Sequence, residues 1–407
     1  MKILQLCHRL PYPPIDGGKI SIYNFTRQYS ARGHEVHLVV IAPDQERNVN
    51  LAPLRELARH CMVFYRDVDN RRSSFLANAL CSRLPYNMTK YMSDEILGYI
   101  MSYLERTAVD CVHVDYLHMS HYAAAIKRRW PELPVILREH DVDSAIMGRL
   151  AANERNPFKR ALYRSQAGRL VRYEREMLGR FDAILAITTE DRERIIALDR
   201  TLAGRTHVVP AGVDLSRCCS GRVNQTRVIL HLASMDWLPN RQGLTWFLRS
   251  VFPKIVALAP DAKLVVAGRN MPTHFKRYRG PNVEVAGFVE NPDDMFARCR
   301  LAVVPLWVGG GMRIKILNYM AAGIPIVSTS IGAEGITAEN GRYLMIADDA
   351  DEFARSVVTL LNDDEHAQRL VANGRSLVEN EYSWPAAVSR TEKIIQEVVR
   401  RASAAPA

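Results

Sequence analysis

The sequence lacks several patterns that would each indicate a particular class of protein. No apolar run among its 407 residues approaches the ~20 residues that span a bilayer. The seven cysteines show no C-x-x-C spacing and the twelve histidines no H-E-x-x-H spacing, so neither a disulfide framework nor a zinc site is indicated. RNP-type, KH and helix-turn-helix patterns are also missing, which argues against nucleic-acid binding. The apolar start meets His8 and Arg9 at once, too early for a secretory signal, so we expect a cytoplasmic protein.

Charge is the first positive feature of the sequence. Fifty-four basic residues against 44 acidic ones give a formal net charge of +10. Such an excess favours an anionic partner, and composition alone leaves nucleic acid, an acidic membrane surface and a phosphorylated small molecule open.

Short apolar strands alternate with amphipathic helices along the chain, which predicts parallel sheets built from βαβ units. The first series of strands covers 2–7, 35–41, 61–65, 110–116, 134–139, 182–187 and 206–210, and the second covers 227–233, 263–268, 283–287, 301–306, 325–329 and 343–347. A turn-rich stretch, 210–226, separates them and is the best linker candidate. We predict an α/β protein of two Rossmann-like doubly wound domains that face one cleft. Two independent modules are the alternative.

Three consecutive glycines, Gly309, Gly310 and Gly311, precede a predicted helix whose first turn carries Arg313 and Lys315. A helix N-terminus is already electropositive, so cations there are unfavourable unless an anion offsets them. Glycine loops also let backbone N–H groups approach a phosphate. The stretch is neither G-x-x-x-x-G-K-[ST] nor G-x-G-x-x-G, which favours a nucleotide diphosphate bound in another geometry. A glycine turn with two solvated cations is the simpler alternative.

A similar arrangement follows the first strand. Gly17 and Gly18 lead into a helix that carries Lys19 in its first turn. One such element is weak evidence, but one in each domain suggests that both domains close on a single diphosphate.

The segment "GGGMRIKILNYMAAGIPIVSTSIGAEGI" resembles the donor site of glycosyltransferase family 4, retaining GT-B enzymes that move a sugar from a nucleotide sugar to an acceptor. Five further stretches are similar to family motifs: "RLPYPPIDGG", "LREHDVDS", "HLASMDWLPNRQG", "VVAGRN" and "VEVAGFVEN". The resemblance covers essentially the whole chain and is greatest to a bacterial branch associated with exopolysaccharide clusters.

The resemblance implies a role for each matched residue. His140, Arg313 and Lys315 would be catalytic, with His140 against the transferred sugar and the two cations on the diphosphate. Donor-binding residues would be Gly17, Gly18, Gly268, Phe288, Val289, Gly309, Gly310, Gly311, Met312 and Asn318, and Glu334 is either a sugar ligand or a loop residue. Glu139 and Asp141 could fix the tautomer of His140 or raise its pKa.

The sequence departs from the family at two positions of its E-x(7)-E pattern, where it has Gly310 and Asn318. Asn318 can hydrogen-bond a ribose hydroxyl but forms no charge-assisted bond. A protein that has kept the fold and serves as a nucleotide-sugar-binding scaffold is therefore the alternative to an enzyme. A GT-B epimerase would need an array of carboxylates and histidines that the motifs do not offer.

D-x-D occurs at 67–69, which leads into a basic loop, and at 141–143, which is the His-Asp turn; neither indicates a metal clamp, so we expect a metal-independent enzyme that needs no cofactor. We expect UDP rather than GDP in the donor. Two basic segments, 71–92 and 156–180, could contact anionic lipid headgroups beside a polyprenyl-diphosphate-linked or free saccharide acceptor, or could be solvated surface. The predicted domains are 1–212 (acceptor side), 225–383 (nucleotide sugar) and a helix, 384–407, that crosses back onto the first domain.

Overall fold

A computed structural model of the chain divides into two compact units, one of Met1–Ala211 with Trp384–Ala407 and one of Gly212–Ser383. The structure describes residues 1–68, 75, 77–78, 81–215, 223–309, 312–337 and 339–404. Gly310, Gly311, parts of the segments 71–92 and 210–226, and the last three residues of 384–407 lie outside these described residues.

The first unit is a parallel sheet covered by helices. Its strands are β1 (Lys2–Cys7), β2 (Glu35–Pro43), β3 (His60–Arg66), β4 (Cys111–Asp115), β5 (Val135–Glu139), β6 (Ala183–Ala186) and β7 (Thr206–Val208). Its helices are α1 (Gly17–Ala31), α2 (Ala52–Leu57), α3 (Tyr86–Thr89), α4 (Asp94–Arg106), α5 (Ser120–Arg129), α6 (Asp143–Asn153), α7 (Pro157–Leu178) and α8 (Thr189–Leu198), with 3-10 turns at Asp44–Glu46, Leu117–Met119 and Arg200–Leu202.

The strand order in this sheet is β3-β2-β1-β4-β5-β6-β7, and all neighbouring strands are parallel. The central strands β4 and β5 are buried at every position because helices cover both faces. The order reverses between β1 and β4, so the loops that follow these strands flank a topological switch point, where such sheets bind ligands.

The last helix, α16 (Trp384–Ala404), belongs to the first unit, where it packs against α1 and β6. Trp384 is buried with its ring edge-on to Phe25. Glu392 accepts hydrogen bonds from Arg32 at 2.8 Å and from His34 at 2.6 Å. The helix therefore joins the first unit through apolar and ionic contacts.

The second unit contains β8 (Val228–Leu232), β9 (Lys263–Ala267), β10 (Val283–Gly287), β11 (Leu301–Val304), β12 (Ile326–Ser328) and β13 (Met345–Ile346). Its helices are α9 (Leu238–Trp246), continued by a π turn at Phe247–Val251, α10 (Phe252–Leu258), α11 (Pro292–Phe296), α12 (Ile314–Ala321), α13 (Ser330–Ala333), α14 (Ala350–Asn362) and α15 (Asp364–Glu381), with a 3-10 segment at Thr273–Tyr278.

The strand order of the second sheet is β10-β9-β8-β11-β12-β13, again all parallel. Its switch point lies between β8 and β11. Each strand that the sequence predicts has its counterpart within a few residues, and the doubly wound α/β class of both units is confirmed.

Candidate active site

The switch point of the second sheet carries the N-terminus of α12. Arg313 is the residue before the first helical turn, its side chain caps no helix N–H, and no acidic residue stands in that turn. The Arg313 side chain is only 7% exposed. A buried cation thus sits at the electropositive end of a helix, an arrangement that an anionic ligand would stabilise.

Lys315 lies in the first turn of the same helix and is half-buried. Burial, followed by the neighbouring charge of Arg313, lowers the pKa of Lys315 to about 7. Lys315 in turn affects His231: burial, and then the charge of Lys315, lower the pKa of His231 to about 3. An anion near these groups would favour the charged form of Lys315.

Residues at the N-terminal end of α9, the helix that follows β8, contact both cations. The Arg313 guanidinium lies over the Trp237 ring, 5.0 Å from its centroid. Lys315 Nζ donates to Asn240 Oδ1 at 3.3 Å, and Asn240 Nδ2 donates to the Ser234 carbonyl at 2.7 Å. The sequence did not single out Trp237 as functional. For position 240, the resemblance indicated only that Asn240 stands where the family usually has Lys, although both residues belong to the motif "MDWLPN".

Gly309 precedes this helix by a few residues. A side chain at position 309 would collide with the Arg313 guanidinium and the Trp237 ring. The glycine therefore leaves space for the guanidinium, in addition to any role of its backbone.

The other residues expected at the donor site follow strand ends of the same sheet. Gly268, at φ +142° after β9, has no room for a side chain against the Ala233 carbonyl. Phe288, after β10, is 62% exposed, which is unusual for a phenyl ring. Val289, the next residue, is half-buried. Met312, which precedes α12, and Asn318, which lies within α12, are also half-buried. Glu334, directly after α13, is half-buried as well.

In the first unit, Gly17 and Gly18 are the first two residues of α1. Asp16 caps this helix by accepting from the Lys19 N–H at 3.0 Å, and it pairs with Arg9 at 2.9 Å. Lys19 Nζ forms an ion pair with Glu46 at 2.6 Å. Unlike α12, this helix therefore has a carboxylate at its N-terminus, and its first-turn cation is paired within the protein.

His140 follows β5 and is buried in a polar cluster. Its Nε2 is 2.9 Å from Arg138 NH1 and 3.5 Å from Asp115 Oδ1. A guanidinium can only donate, so the closer contact makes Nε2 an acceptor and leaves the ring proton on Nδ1. Burial and then Arg138 lower the pKa of His140 to about 3, so the rise in pKa that we expected from Glu139 and Asp141 is wrong.

Asp115 and Tyr116, at the end of β4, complete the surroundings of His140. Burial raises the pKa of Asp115, but the neighbouring His113, His140 and Arg138 outweigh it and lower that pKa to about 2. The Tyr116 ring stacks on the His140 ring, with centroids 3.9 Å apart and planes 4° apart. Tyr116 has φ +69°, a conformation that costs non-glycine residues about 1–3 kcal/mol. Tyr116 therefore fixes the plane of the His140 imidazole, and nothing in the sequence indicates this strained backbone or this stacking.

The second half of the chain, residues 226–363, matches the family model described as glycosyl transferases group 1. Residues 15–217 match the model described as glycosyltransferase family 4. Together the two models cover both parallel-sheet units, and the chain belongs to this glycosyltransferase family.

Two relatives illustrate its range. A protein described as an uncharacterized 44.6 kDa protein in the cps region of Klebsiella pneumoniae is 23% identical, over 94% of this chain and 96% of the relative. The GDP-mannose-dependent monoacylated alpha-(1-6)-phosphatidylinositol monomannoside mannosyltransferase of Corynebacterium glutamicum is 26% identical, over 47% of this chain and 56% of the relative.

Solved structures share the fold along the whole chain. Sucrose-phosphate synthase from Thermosynechococcus elongatus matches with a TM-score of 0.73 at 15% identity, covering 98% of this chain and 100% of that one. Anabaena HepE, solved in complex with UDP and glucose, matches with a TM-score of 0.67 at 14% identity, over 98% and 100% of the two chains. The predicted GT-B class is thereby confirmed. In the described part of the chain, no helix combines the length and apolarity that crossing a membrane requires.

Proposed function

We propose that the protein transfers a hexosyl group, with retention of configuration, from a nucleotide-diphosphate sugar to a saccharide or lipid-linked saccharide acceptor. The observation that carries this proposal is the pair of crowded cations, Arg313 and Lys315, at the N-terminus of α12. Departure of a nucleotide diphosphate builds negative charge on its phosphates, and preorganised cations and N–H groups stabilise such charge.

The remaining site residues take roles in this reaction by their resemblance to the family. Met312 and the glycines at 309–311 would line the diphosphate, Asn318 would meet the ribose, and Gly268, Phe288 and Val289 would border the nucleoside. Gly17 and Gly18 would approach the distal phosphate and His140 the transferred sugar, with Glu334 as a further sugar ligand. As a neutral imidazole, His140 would offer hydrogen bonding and no positive charge.

The identity of the donor is the finer part of the proposal. HepE was solved with UDP and glucose, which supports UDP, whereas the mannosyltransferase relative uses GDP-mannose. We favour UDP. The relative described from a cps region supports a role in exopolysaccharide or other cell-surface glycan synthesis.

Thermal protection tests the donor site. We expect millimolar UDP, or GDP if the base assignment is wrong, to raise the melting temperature, because a ligand of the native state stabilises it. Free hexose should give no shift, since the cation pair recognises phosphate. Equal protection by hexose and by nucleotide would contradict the proposal.

A chelator tests the proposed metal independence. Arg313 and Lys315 stand where a metal-dependent enzyme would bind a cation beside the diphosphate. We expect EDTA to leave the rate of transfer unchanged once a donor is found. Loss of transfer with EDTA and recovery with magnesium or manganese would assign the charge stabilisation to a metal.

For the acceptor we propose contact with the inner face of the membrane, at the tip of the helical hairpin formed by α6 and α7. Phe158 at this tip is 85% exposed, and Arg155, Lys159 and Arg164 around it are exposed. An exposed aromatic ring among cations suits an anionic lipid surface. This would bring the enzyme to a polyprenyl-diphosphate-linked acceptor. Of the other predicted segment, 71–92, residues 71–74, 76, 79 and 80 lie outside the described residues.

A nucleotide-sugar-binding scaffold is the second candidate, because Asn318 replaces the glutamate of the family motif. A panel of nucleotide sugars with lipid and saccharide acceptors separates the two. Binding without hydrolysis or transfer across the panel would favour the scaffold.

A further inference from the structure

The segment from Ser234 to Asn240, which is the end of the loop after β8 and the first turn of α9, contacts both cations of α12, although β9 and β10 intervene in the sequence. The contact exists because β8 and β11 are neighbours in the sheet, so that the loops following them emerge side by side. We propose that Trp237 and Asn240 are positioning residues: Trp237 holds the Arg313 guanidinium and Asn240 holds the Lys315 ammonium in the geometry that receives a nucleotide diphosphate. This inference rests on the proposed function of the same site.

The Arg313 side chain lies in a preformed slot. One wall is the Trp237 ring, 5.0 Å from the guanidinium, and the other is the backbone at Gly309, where a side chain would occupy the position of the guanidinium. An arginine that is ordered before the ligand arrives loses less rotamer freedom on binding. The aromatic face also attracts the cation without itself carrying a negative charge.

Lys315 is held differently, by one amide oxygen. The side chain of Asn240 is 5% exposed, and its amide group has one orientation that satisfies both contacts. The NH2 group donates to the Ser234 carbonyl and the oxygen faces the ammonium, whereas a flipped amide would put donor against donor and acceptor against acceptor. A neutral acceptor fixes the ammonium while leaving its charge uncompensated.

A double-mutant cycle tests the role of Trp237. We expect Trp237→Leu to weaken UDP binding about 3- to 10-fold, the scale of a cation–π contact, and Trp237→Phe to recover most of this loss. Arg313→Ala should weaken binding by about 100-fold, and adding Trp237→Leu to it should cost nothing further. Affinity is measured by calorimetry with UDP, and with GDP as a second probe.

Trp246→Leu is the matched control, because Trp246 is the last residue of α9, the helix that Trp237 precedes, and packs against Trp307 and Phe353. It should lower the melting temperature as Trp237→Leu does but leave the affinity unchanged. If Trp237→Leu weakens binding equally with and without Arg313, Trp237 acts on packing alone and the positioning role is refuted.

The role of Asn240 is tested in the unliganded protein by NMR titration of the Lys315 side-chain carbon next to the ammonium. Among the described residues, the charged or titratable neighbours of Lys315 are Arg313 and the neutral His231, and neither is changed in these variants. Asn240→Asp should raise the pKa of Lys315 by adding a carboxylate, and Asn240→Ala should lower it by removing the acceptor. If the pKa of Lys315 is the same in both variants as in the native protein, the contact between Asn240 and Lys315 is refuted.

The double-mutant cycle and the Lys315 titration together also distinguish this inference from the proposed function on which it rests. If the Lys315 titration shifts as expected but neither UDP nor GDP binds, the positioning of Lys315 stands and the proposed function is wrong. If a nucleotide binds through Arg313 but the effects of Trp237 and Arg313 are additive, the function stands and the positioning by Trp237 is wrong.

Discussion

Among single residues, Lys315 links the stability of the protein to its proposed site. Its pKa is lowered from 10.5 to about 7, so between these values the unfolded chain binds a proton that the native protein lacks. The free energy of unfolding should therefore rise with pH across this window. Below pH 7 Lys315 is charged in the native state too, so the full unfavourable free energy of burying its charge lowers stability there. We expect Lys315→Met to raise the melting temperature most at pH 6–7, with a gain that disappears as the pH approaches 10.5.

The same variant should show a smaller thermal shift with UDP, because one of the two cations is gone. Melting curves with and without nucleotide, recorded across this pH range, measure both effects. A variant that is less stable than the native protein at pH 6 would show that the Lys315 ammonium contributes to folding.

At the scale of a structural element, the position of α9 depends on Gly243. A side chain at position 243 would collide with the Pro305 carbonyl, in the backbone just after β11. We expect Gly243→Ala to destabilise the protein by about 1–3 kcal/mol, since backbone must move to admit the methyl group. Because α9 carries Asn240, nucleotide affinity should fall as well.

Gly168→Ala is the control for this prediction, because Gly168 lies within α7 and has nothing within 4 Å of an added methyl group. There we expect neutral behaviour or a gain of up to about 1 kcal/mol, from the higher helix propensity of alanine. Chemical denaturation measures both variants. Equal effects of the two substitutions would show that space at position 243 is not limiting.

At the scale of the whole molecule, the net charge of +10 and the exposed tip at Phe158 predict binding to anionic membranes. We expect vesicles of phosphatidylcholine with phosphatidylglycerol to bind the protein in a salt-sensitive manner, and vesicles of phosphatidylcholine alone to bind it weakly. Phe158→Ser should weaken binding about tenfold by removing the aromatic contact.

Leu258→Ser serves as the control in co-sedimentation, because Leu258 is also exposed, at 58%, but lies in the second unit. It should bind like the native protein. Equal binding of native protein and Phe158→Ser would remove the hairpin tip from the membrane contact.

The sequence by itself determined the strands, the doubly wound class and the location of the glycine loops. These features depend on local chemistry: apolar runs of strand length, glycines, and cations at the start of a helix. The buried strand β4 and the helix α12 are examples, because the pattern that predicts each of them lies within fewer than ten consecutive residues.

Only the tertiary structure decided which side chains meet. Trp237 reaches Arg313, and Asp115 and Tyr116 reach His140, because the order of strands in each sheet sets which loops are neighbours. Local periodicity carries no information about that order, so the contacts of His140 with Asp115 and Tyr116 could not be predicted from the residues around it in the sequence. The charge state of a buried group depends on all the groups packed around it, and those come from distant parts of the chain.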